Sequence, residues 1–230
     1  MRPLILLAAP LIAAATPFTV SIPGLPDGAR LPPRYAFCQA GPDGHQAPAP
    51  DISPPLTWTA GPAGTRSYAI LMQDPDVPES VTAPEMKSGI PPDAPRRIFN
   101  HWALADIPAR LRGLPEGADS TGPLPHGKPA TTTPYGTRGA NDFTTAFVES
   151  SQYNGIHGGY DGPCPPSIDL LVHRYRIHLF ALDTATLALD TPFSADDLQA
   201  ALKHHTLAEA TTTVTYTTHR LAGLGQAGHR

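Results

Sequence analysis

The pentapeptide Asp74-Pro75-Asp76-Val77-Pro78 sets two carboxylates around a proline and closes on another proline. Pro75 fixes its own φ and lacks an N–H, while Asp74 and Val77, each preceding a proline, are pushed toward extended backbone. Held extended, Asp74 and Asp76 point to one side of the chain, where paired carboxylates suit an ammonium group, proton transfer or a divalent metal. Alone, the segment also reads as an Asp/Pro turn, so its chemistry depends on partners. Three other stretches join ionisable side chains to constrained backbone: Asn100-His101-Trp102, GGYDGPCPPSIDLLVHRY over 158–175, and GTRGAND over 136–142. Gly158, Gly159 and Gly162 permit tight turns and close backbone approach, and Pro163, Pro165 and Pro166 stiffen the same loop. The glycine-bounded N–H groups of 136–142 are of the kind that forms anion-binding concavities.

Each stretch adjoins an element that has to position it. Tyr68 to Met72 reads as a mostly apolar strand with Asp74 and Asp76 at its end, and FNHWALADIP (99–108) as a strand closed by Pro108. HRYRIHLFALD (173–183) is the strongest strand, placing His173, Tyr175, Ile177 and Leu179 on one face and Arg174, Arg176, His178 and Phe180 on the other. FSADDLQAALKHHTLAEA (193–210) is the one good helix, with Ser194 as N-cap, Asp196 and Asp197 in its first turn, and a Leu198, Ala201, Leu202 stripe. TTTVTYTTHR (211–220) reads as a closing strand, 18–55 as short strands and loops, and 77–97 and 109–140 as irregular. The tail residues Gly223, Gly225 and Gly228 match G-x-G-x-x-G in form only, because a dinucleotide fingerprint must open a helix within a βαβ unit.

With 230 residues and 40% hydrophobic content the chain supports one sizeable core, expected over 18–225. Twenty-nine prolines and twenty glycines favour a β-rich, loop-rich architecture. A net charge of -4 without any Lys/Arg cluster lacks the electrostatic footprint of a nucleic-acid binder. At the N-terminus, Arg2, the apolar run from Leu4 to Ala15 and the small residues Ala13 and Ala15 read as a signal peptide over 1–15. That run falls short of the roughly 18–20 apolar residues of a spanning helix, and no other segment is a membrane-span candidate. The expected location is therefore periplasmic or secreted. In that compartment Cys38 and Cys164 allow one intramolecular disulfide, which the chain-entropy model values at roughly 4 kcal/mol. Two separate buried thiols are the alternative.

The motifs together resemble the phosphatidylethanolamine-binding protein family, also known as Raf kinase inhibitor proteins, in its bacterial branch. The matching text, in the family's order, is DISPPLTW (51–58), DPDVP (74–78), NHWALADIP (100–108), GAND (139–142), GYDGPCPP (159–166) and HRYRIHLFALD (173–183). The final helix and TVTYTTHR also fit, so the resemblance spans most of 18–220. It implies a mainly β fold of two antiparallel sheets packed as a Greek-key sandwich, with a small helical element near the C-terminus. It also implies a shallow pocket for a phosphate-like anion or a phosphoethanolamine-type head group. Carried over by position, that pocket consists of Asp74, Pro75, Asp76, Pro78, His101, Tyr160, Gly162, Pro165, Pro166, His173 and Tyr175. One departure stands out: FTTAFVESSQYNGIHG (143–158) is longer than the family's connection there and brings Phe147, Tyr153 and His157 toward the pocket.

Two aspartates and two histidines, with no lysine or arginine among these positions, suit a bare dianion poorly. Repulsion should raise one aspartate's pKa or select a ligand that brings its own cation, such as phosphoethanolamine. Bare phosphate is expected to bind better toward pH 5, as His101 and His173 gain charge. The reading that results is an exported, non-enzymatic binding protein that takes a small ligand or modulates a protein partner. No cofactor is implied, and G-x-S-x-G, H-E-x-x-H and the P-loop are missing from the sequence. The rival is a hydrolase or metal-assisted enzyme using Asp74, Asp76, His101 and His173. A third reading is an interaction module that docks through its proline-rich loops.

Overall fold

The computed structural model describes residues 16–42 and 44–220; the signal segment 1–15 and the 223–228 glycine pattern lie outside the described residues. In chain order the strands are β1 (Val20–Ser21), β2 (Cys38–Ala40), β3 (Gln46–Pro48), β4 (Leu56–Trp58), β5 (Ser67–Pro78), β6 (Arg96–Pro108), β7 (Gly113–Leu114), β8 (Thr132–Thr133), β9 (Gly136–Arg138), β10 (His173–Leu182) and β11 (Thr206–Tyr216). The helices are α1 (Glu85–Ser88), α2 (Phe143–Ala146) and α3 (Ala195–His205). Six strands form one sheet in the order β11-β10-β5-β6-β9-β8, three form a second, β1-β4-β7, and β2 pairs with β3. All these strand pairs are antiparallel.

Period-two alternation sorts the large sheet's side chains. Tyr68, Ile70 and Met72 of β5, Trp102 and Leu104 of β6, and Tyr175, Ile177 and Leu179 of β10 share a core with Val20, Leu56, Trp58 and Leu114 of the small sheet. The intervening residues Ala69, Leu71, Ala103 and Ala105 face the other way and are covered by Phe193, Ala195, Leu198 and Leu202 of the α3 region. Small alanines on that face let the helix approach. The start of α3 follows the sequence: Ser194 Oγ accepts from the Asp197 N–H at 3.1 Å, and Asp197 Oδ2 accepts from the Ser194 N–H at 2.8 Å.

Two boundaries differ from the sequence reading. The helix ends at His205 rather than running to 210, because Ala208 and Glu209 pair with Ala181 and Phe180 of β10 and extended backbone begins at Thr206. Pairing along a central strand overrides the helical tendency of Leu207-Ala208-Glu209. Strand β5 does not end at Asp74 but continues to Pro78, opposite Arg96. Its register breaks between Asp74 and Val77, so Pro75, which has no N–H to offer, sits in an irregularity, and the Asp76 N–H turns aside to Asp74 Oδ1 at 2.8 Å.

Cys38 and Cys164 are bridged, with Cα atoms 4.9 Å apart. The bond ties β2 to the loop that carries Pro165 and Pro166. Among the described residues no helix is long and apolar enough to cross a membrane.

Candidate functional site

The loop 158–166 forms one wall of the candidate site and is anchored from behind by polar contacts. Gly162 donates its N–H to Asp51 Oδ1 at 2.6 Å, and a Cβ there would collide with the Tyr35 carbonyl oxygen. Gly159 has φ +76°, and a Cβ would strike the Asp119 carboxylate, so both glycines answer a backbone demand. Between them Asp161 is wholly enclosed: its carboxylate accepts from Lys128 Nζ at 3.0 Å and Asn141 Nδ2 at 2.7 Å, with His157 Nδ1 at 3.1 Å. Gln46 Nε2 donates to the Pro165 carbonyl at 2.6 Å and steadies the proline end.

In front of this loop lies a cavity of about 250 Å³. Its polar lining residues are Gln46, Asp74, His101 and Tyr175; Cys164, Pro165 and Pro166 come from the loop, and Val77, Phe99, Phe143, Ala146 and Phe147 are its apolar lining. His101 Nδ1 lies 2.9 Å from the Asp161 carbonyl oxygen, an acceptor only, so Nδ1 carries the proton. Neutral His101 therefore holds its lone pair on Nε2. Burial lowers the pKa of His101, against the upward pull of Asp74 and of the Asp161 carbonyl. The Tyr175 hydroxyl is buried next to the Asp74 carboxylate, which interacts with it although no partner lies within ordinary hydrogen-bond distance. Burial, reinforced by Asp74, pushes its pKa far up, so it remains a donor.

The sequence-derived set divides in two. Asp74, His101, Pro165, Pro166 and Tyr175 come together on the cavity wall, while Pro75, Asp76, Pro78, Tyr160, Gly162 and His173 do not reach it. Asp76 departs because the register break in β5 undoes the alternation that would have aligned it with Asp74. It meets Arg174 instead, at 2.9 Å from Nε to Oδ2 and 2.6 Å from Nη2 to Oδ1. Against the upward push of burial, Arg174 holds the Asp76 carboxyl below the usual range. The expected repulsion between the two aspartates is thus relieved by an arginine within the H-R-Y motif. Tyr160 packs edge-on against Trp102 at 5.1 Å and donates to the Tyr35 carbonyl at 2.5 Å.

His173 lies behind the wall, with Nδ1 2.7 Å from Asp74 Oδ2 and Nε2 3.0 Å from Asp169 Oδ2. Burial opposes its charge, but the two carboxylates overcome it and raise its pKa to about 9. His173 is therefore charged throughout the physiological range, and the acid titration expected of it cannot govern ligand binding. With both nitrogens engaged and Asp76 turned away, the four-residue metal set Asp74, Asp76, His101 and His173 is not assembled. Among the described residues no group of three or more His, Cys, Asp or Glu is placed to hold a metal.

Sequence reasoning missed Asp169, Arg96, Gln46, Phe99 and Phe143. Phe99 had a signal: it stands two residues before His101 on one strand, and their ring centroids are 5.0 Å apart. From the long connection, Phe147 lines the cavity, Tyr153 braces it at 5.4 Å, and His157 is buried against Asp161.

Three comparisons place this geometry among known proteins. The profile described as Phosphatidylethanolamine-binding protein matches residues 21–217. A UPF0098 protein of Methanothermobacter thermautotrophicus is 34% identical over 80% of this chain and 88% of its own. The UPF0098 protein YbhB of Escherichia coli is 31% identical over 84% of this chain and 95% of its own. The crystal structure of E. coli YbcL, titled a new member of the mammalian PEBP family, superposes with a TM-score of 0.62 at 26% identity, covering 87% of this chain and 98% of that one.

Proposed function

Because the chain belongs to the phosphatidylethanolamine-binding protein family, we propose that it is an exported, non-enzymatic binding protein whose cavity takes a zwitterionic phospho-head group in preference to bare phosphate. The observation that carries this reading is the polar part of the cavity lining: the Asp74 carboxylate and the His101 Nε2 lone pair as acceptors, the Tyr175 hydroxyl beside Asp74, and no lysine or arginine among the lining residues. Such a site asks its ligand for a donor cation and an acceptor together. Export is supported by the apolar run from Leu4 to Ala15 and by the Cys38–Cys164 bridge, which suits an oxidising compartment.

Calorimetric titration of the mature protein with phosphoethanolamine tests the reading. Saturable binding is expected, and Tyr175→Phe should weaken it about tenfold, the value of roughly one buried hydrogen bond. Unchanged affinity in that variant would remove Tyr175 from the site, and no heat at all would reject the pocket.

Bare phosphate gives a second expected result. His173 is already charged, so only His101, which faces Asp74 and lies near Asp142 and the Asp161 carbonyl, has a proton to gain. With its pKa lowered, phosphate affinity should climb as pH falls from 8 to 5.5, by at most about tenfold per unit, with up to one proton taken up per anion beyond phosphate's own ionisation in this range, an increment that His101→Gln should abolish. Calorimetry in buffers of different ionisation enthalpy measures that uptake. Phosphate binding that is independent of pH, or tighter at pH 8, contradicts the assignment.

A further inference from the structure

We infer that Asn154-Gly155, exposed on the long connection 143–158, is a site of spontaneous covalent change promoted by the imidazole of His126. The reaction is cyclisation of the Asn154 side chain onto the backbone, with loss of ammonia and conversion to aspartate and isoaspartate. It is independent of the cavity reading. His126 Nδ1 lies 2.7 Å from Asn154 Oδ1, and an amide oxygen only accepts, so that ring nitrogen carries a proton and donates to the carboxamide. A donor on this oxygen draws charge off Cγ and stabilises the oxyanion that forms when a nucleophile adds there. The nucleophile is the next backbone nitrogen. Among the described residues no acceptor answers the Gly155 N–H, whereas its neighbour is held: Asn154 donates its N–H to the Ser150 carbonyl at 3.1 Å.

The turn keeps these groups together. His126 donates its N–H to the Gln152 carbonyl at 2.9 Å, and Gly158 donates to the Lys128 carbonyl at 2.9 Å, so the loop carrying His126 is tied to both flanks of Asn154-Gly155. Nor can the glycine give way to a residue that would hinder attack: Gly155 has φ +136°, and a Cβ would stand 2.2 Å from the His126 carbonyl oxygen. The other two asparagines of the chain are protected. Asn100 is buried with its Nδ2 on Asp142 at 3.1 Å, and Asn141 is buried with its Nδ2 on Asp161 at 2.7 Å. In the reaction the Gly155 N–H proton passes to water, the nitrogen bonds to Cγ, and the carbonyl electron pair moves onto Oδ1 against His126. The pair returns as the Cγ–Nδ2 bond breaks, and ammonia leaves with a proton from water, closing a succinimide. Water then adds at either ring carbonyl and the ring C–N bond there breaks, leaving one acid and one peptide bond through the α- or the β-carboxyl. Isoaspartate lengthens the main chain by a carbon between Tyr153, whose carbonyl accepts from His157 Nε2 at 2.8 Å, and His157 itself, so the change falls in the span that seats His157 on Asp161.

The test ages the intact mature protein at physiological pH and temperature and maps its peptides by mass and by a separation that resolves aspartate from isoaspartate. The folded protein is expected to lose ammonia at Asn154 while Asn100 and Asn141 stay intact. The rate at Asn154 should exceed that of the same chain unfolded in guanidinium, where His126 and the carboxamide part. His126→Ala should slow the folded reaction about tenfold, less than a positioned acid gives in a closed site, because water competes at an exposed one. Asn154→Ser should form no isoaspartate in this segment. Folded and unfolded chains that react equally would leave only the ordinary lability of asparagine before glycine and overturn the role of His126. A faster reaction in His126→Ala would show that the contact guards the amide, and an Asn154 that stays intact in the folded protein would reject the site. Should His126→Ala fail to fold, the comparison of folded with unfolded wild type decides alone.

Discussion

Lys128→Met should lower the unfolding free energy by about 3–5 kcal/mol, the usual cost of breaking a buried ion pair from one side. The Lys128 and Asp161 side chains are 6% and 3% exposed, with Nζ 3.0 Å from Oδ1, and Nζ also donates to the Tyr160 carbonyl. Burial works to raise the Asp161 pKa, but Lys128 and His157 hold it down at about 2. Asp51 responds the other way, pushed well above its ordinary value by burial and by the charge of Asp161. Without Lys128, the carboxylate would keep only His157 and Asn141 in a space that admits no water-like screening. For a chain of this size the loss corresponds to a fall in Tm of about 10 °C. Adding Asp161→Asn removes the stranded charge, so the double variant should regain part of the loss. Thermal unfolding of the three proteins decides: a double variant less stable by the full sum of the single effects would show that the pair does not interact. The consequence extends to the cavity, because the Asp161 carbonyl fixes the His101 tautomer and loosening this loop blurs the acceptor at Nε2.

How much of this was legible follows from where each contact is made. The β10 alternation could be read because one face is buried and the other carries exposed or half-buried residues, so His173, Tyr175, Ile177 and Leu179 had to share one side. The start of α3 could be read because Ser194 and Asp197 cap each other locally, whereas its end is set by strand pairing across to Ala181. The site followed the same division. Asp74, His101, Pro165, Pro166 and Tyr175 lie in motifs whose text is specific, and they meet. Asp76 could not be placed, because one irregularity between Asp74 and Val77 turns a side chain from pocket to arginine, and alternation alone does not reveal it. Asp169 and Arg96 stayed hidden because Asp169 reaches His173 from a loop, and Arg96 reaches Asp169 from a strand end 73 residues away in sequence. Phe143 was invisible for a similar reason: a four-residue helix has no periodicity to detect.

Stability should decline by about 3 kcal/mol as pH rises from 6.5 to beyond 9, and His173 should account for it. Its pKa is raised from near 6.5 to about 9, so the folded state retains a proton that the unfolded chain releases. The stabilisation is complete below about 6.5 and disappears through about 9, and a shift of this size is worth about 3 kcal/mol. Several other groups act elsewhere on the pH axis. The lowered carboxyls Asp76, Asp161 and Asp169 lose their contributions only in acid, below about 4. His101, lowered by burial, weakens the fold as pH drops below 6.5 and is neutral in both states above it. Asp51, whose carboxyl is pushed well above its ordinary value by burial and by Asp161, gives a decline of the same sign, so it is the comparison with His173→Gln that assigns the window from 7 to 9. Its two carboxylates are themselves held: Asp169 by Arg96, with Nη1 to Oδ2 at 2.5 Å, and Asp74 by the Asp76 N–H at 2.8 Å. His173→Gln should cost about 3–5 kcal/mol at pH 6.5, by leaving two buried carboxylates without their shared cation, and much less at pH 9. Denaturant unfolding across that range compares the slopes. If the variant retains the wild-type decline between pH 7 and 9, the proton lost there belongs to another group, and the Asp74–His173–Asp169 bridge is not the element that holds the pocket floor.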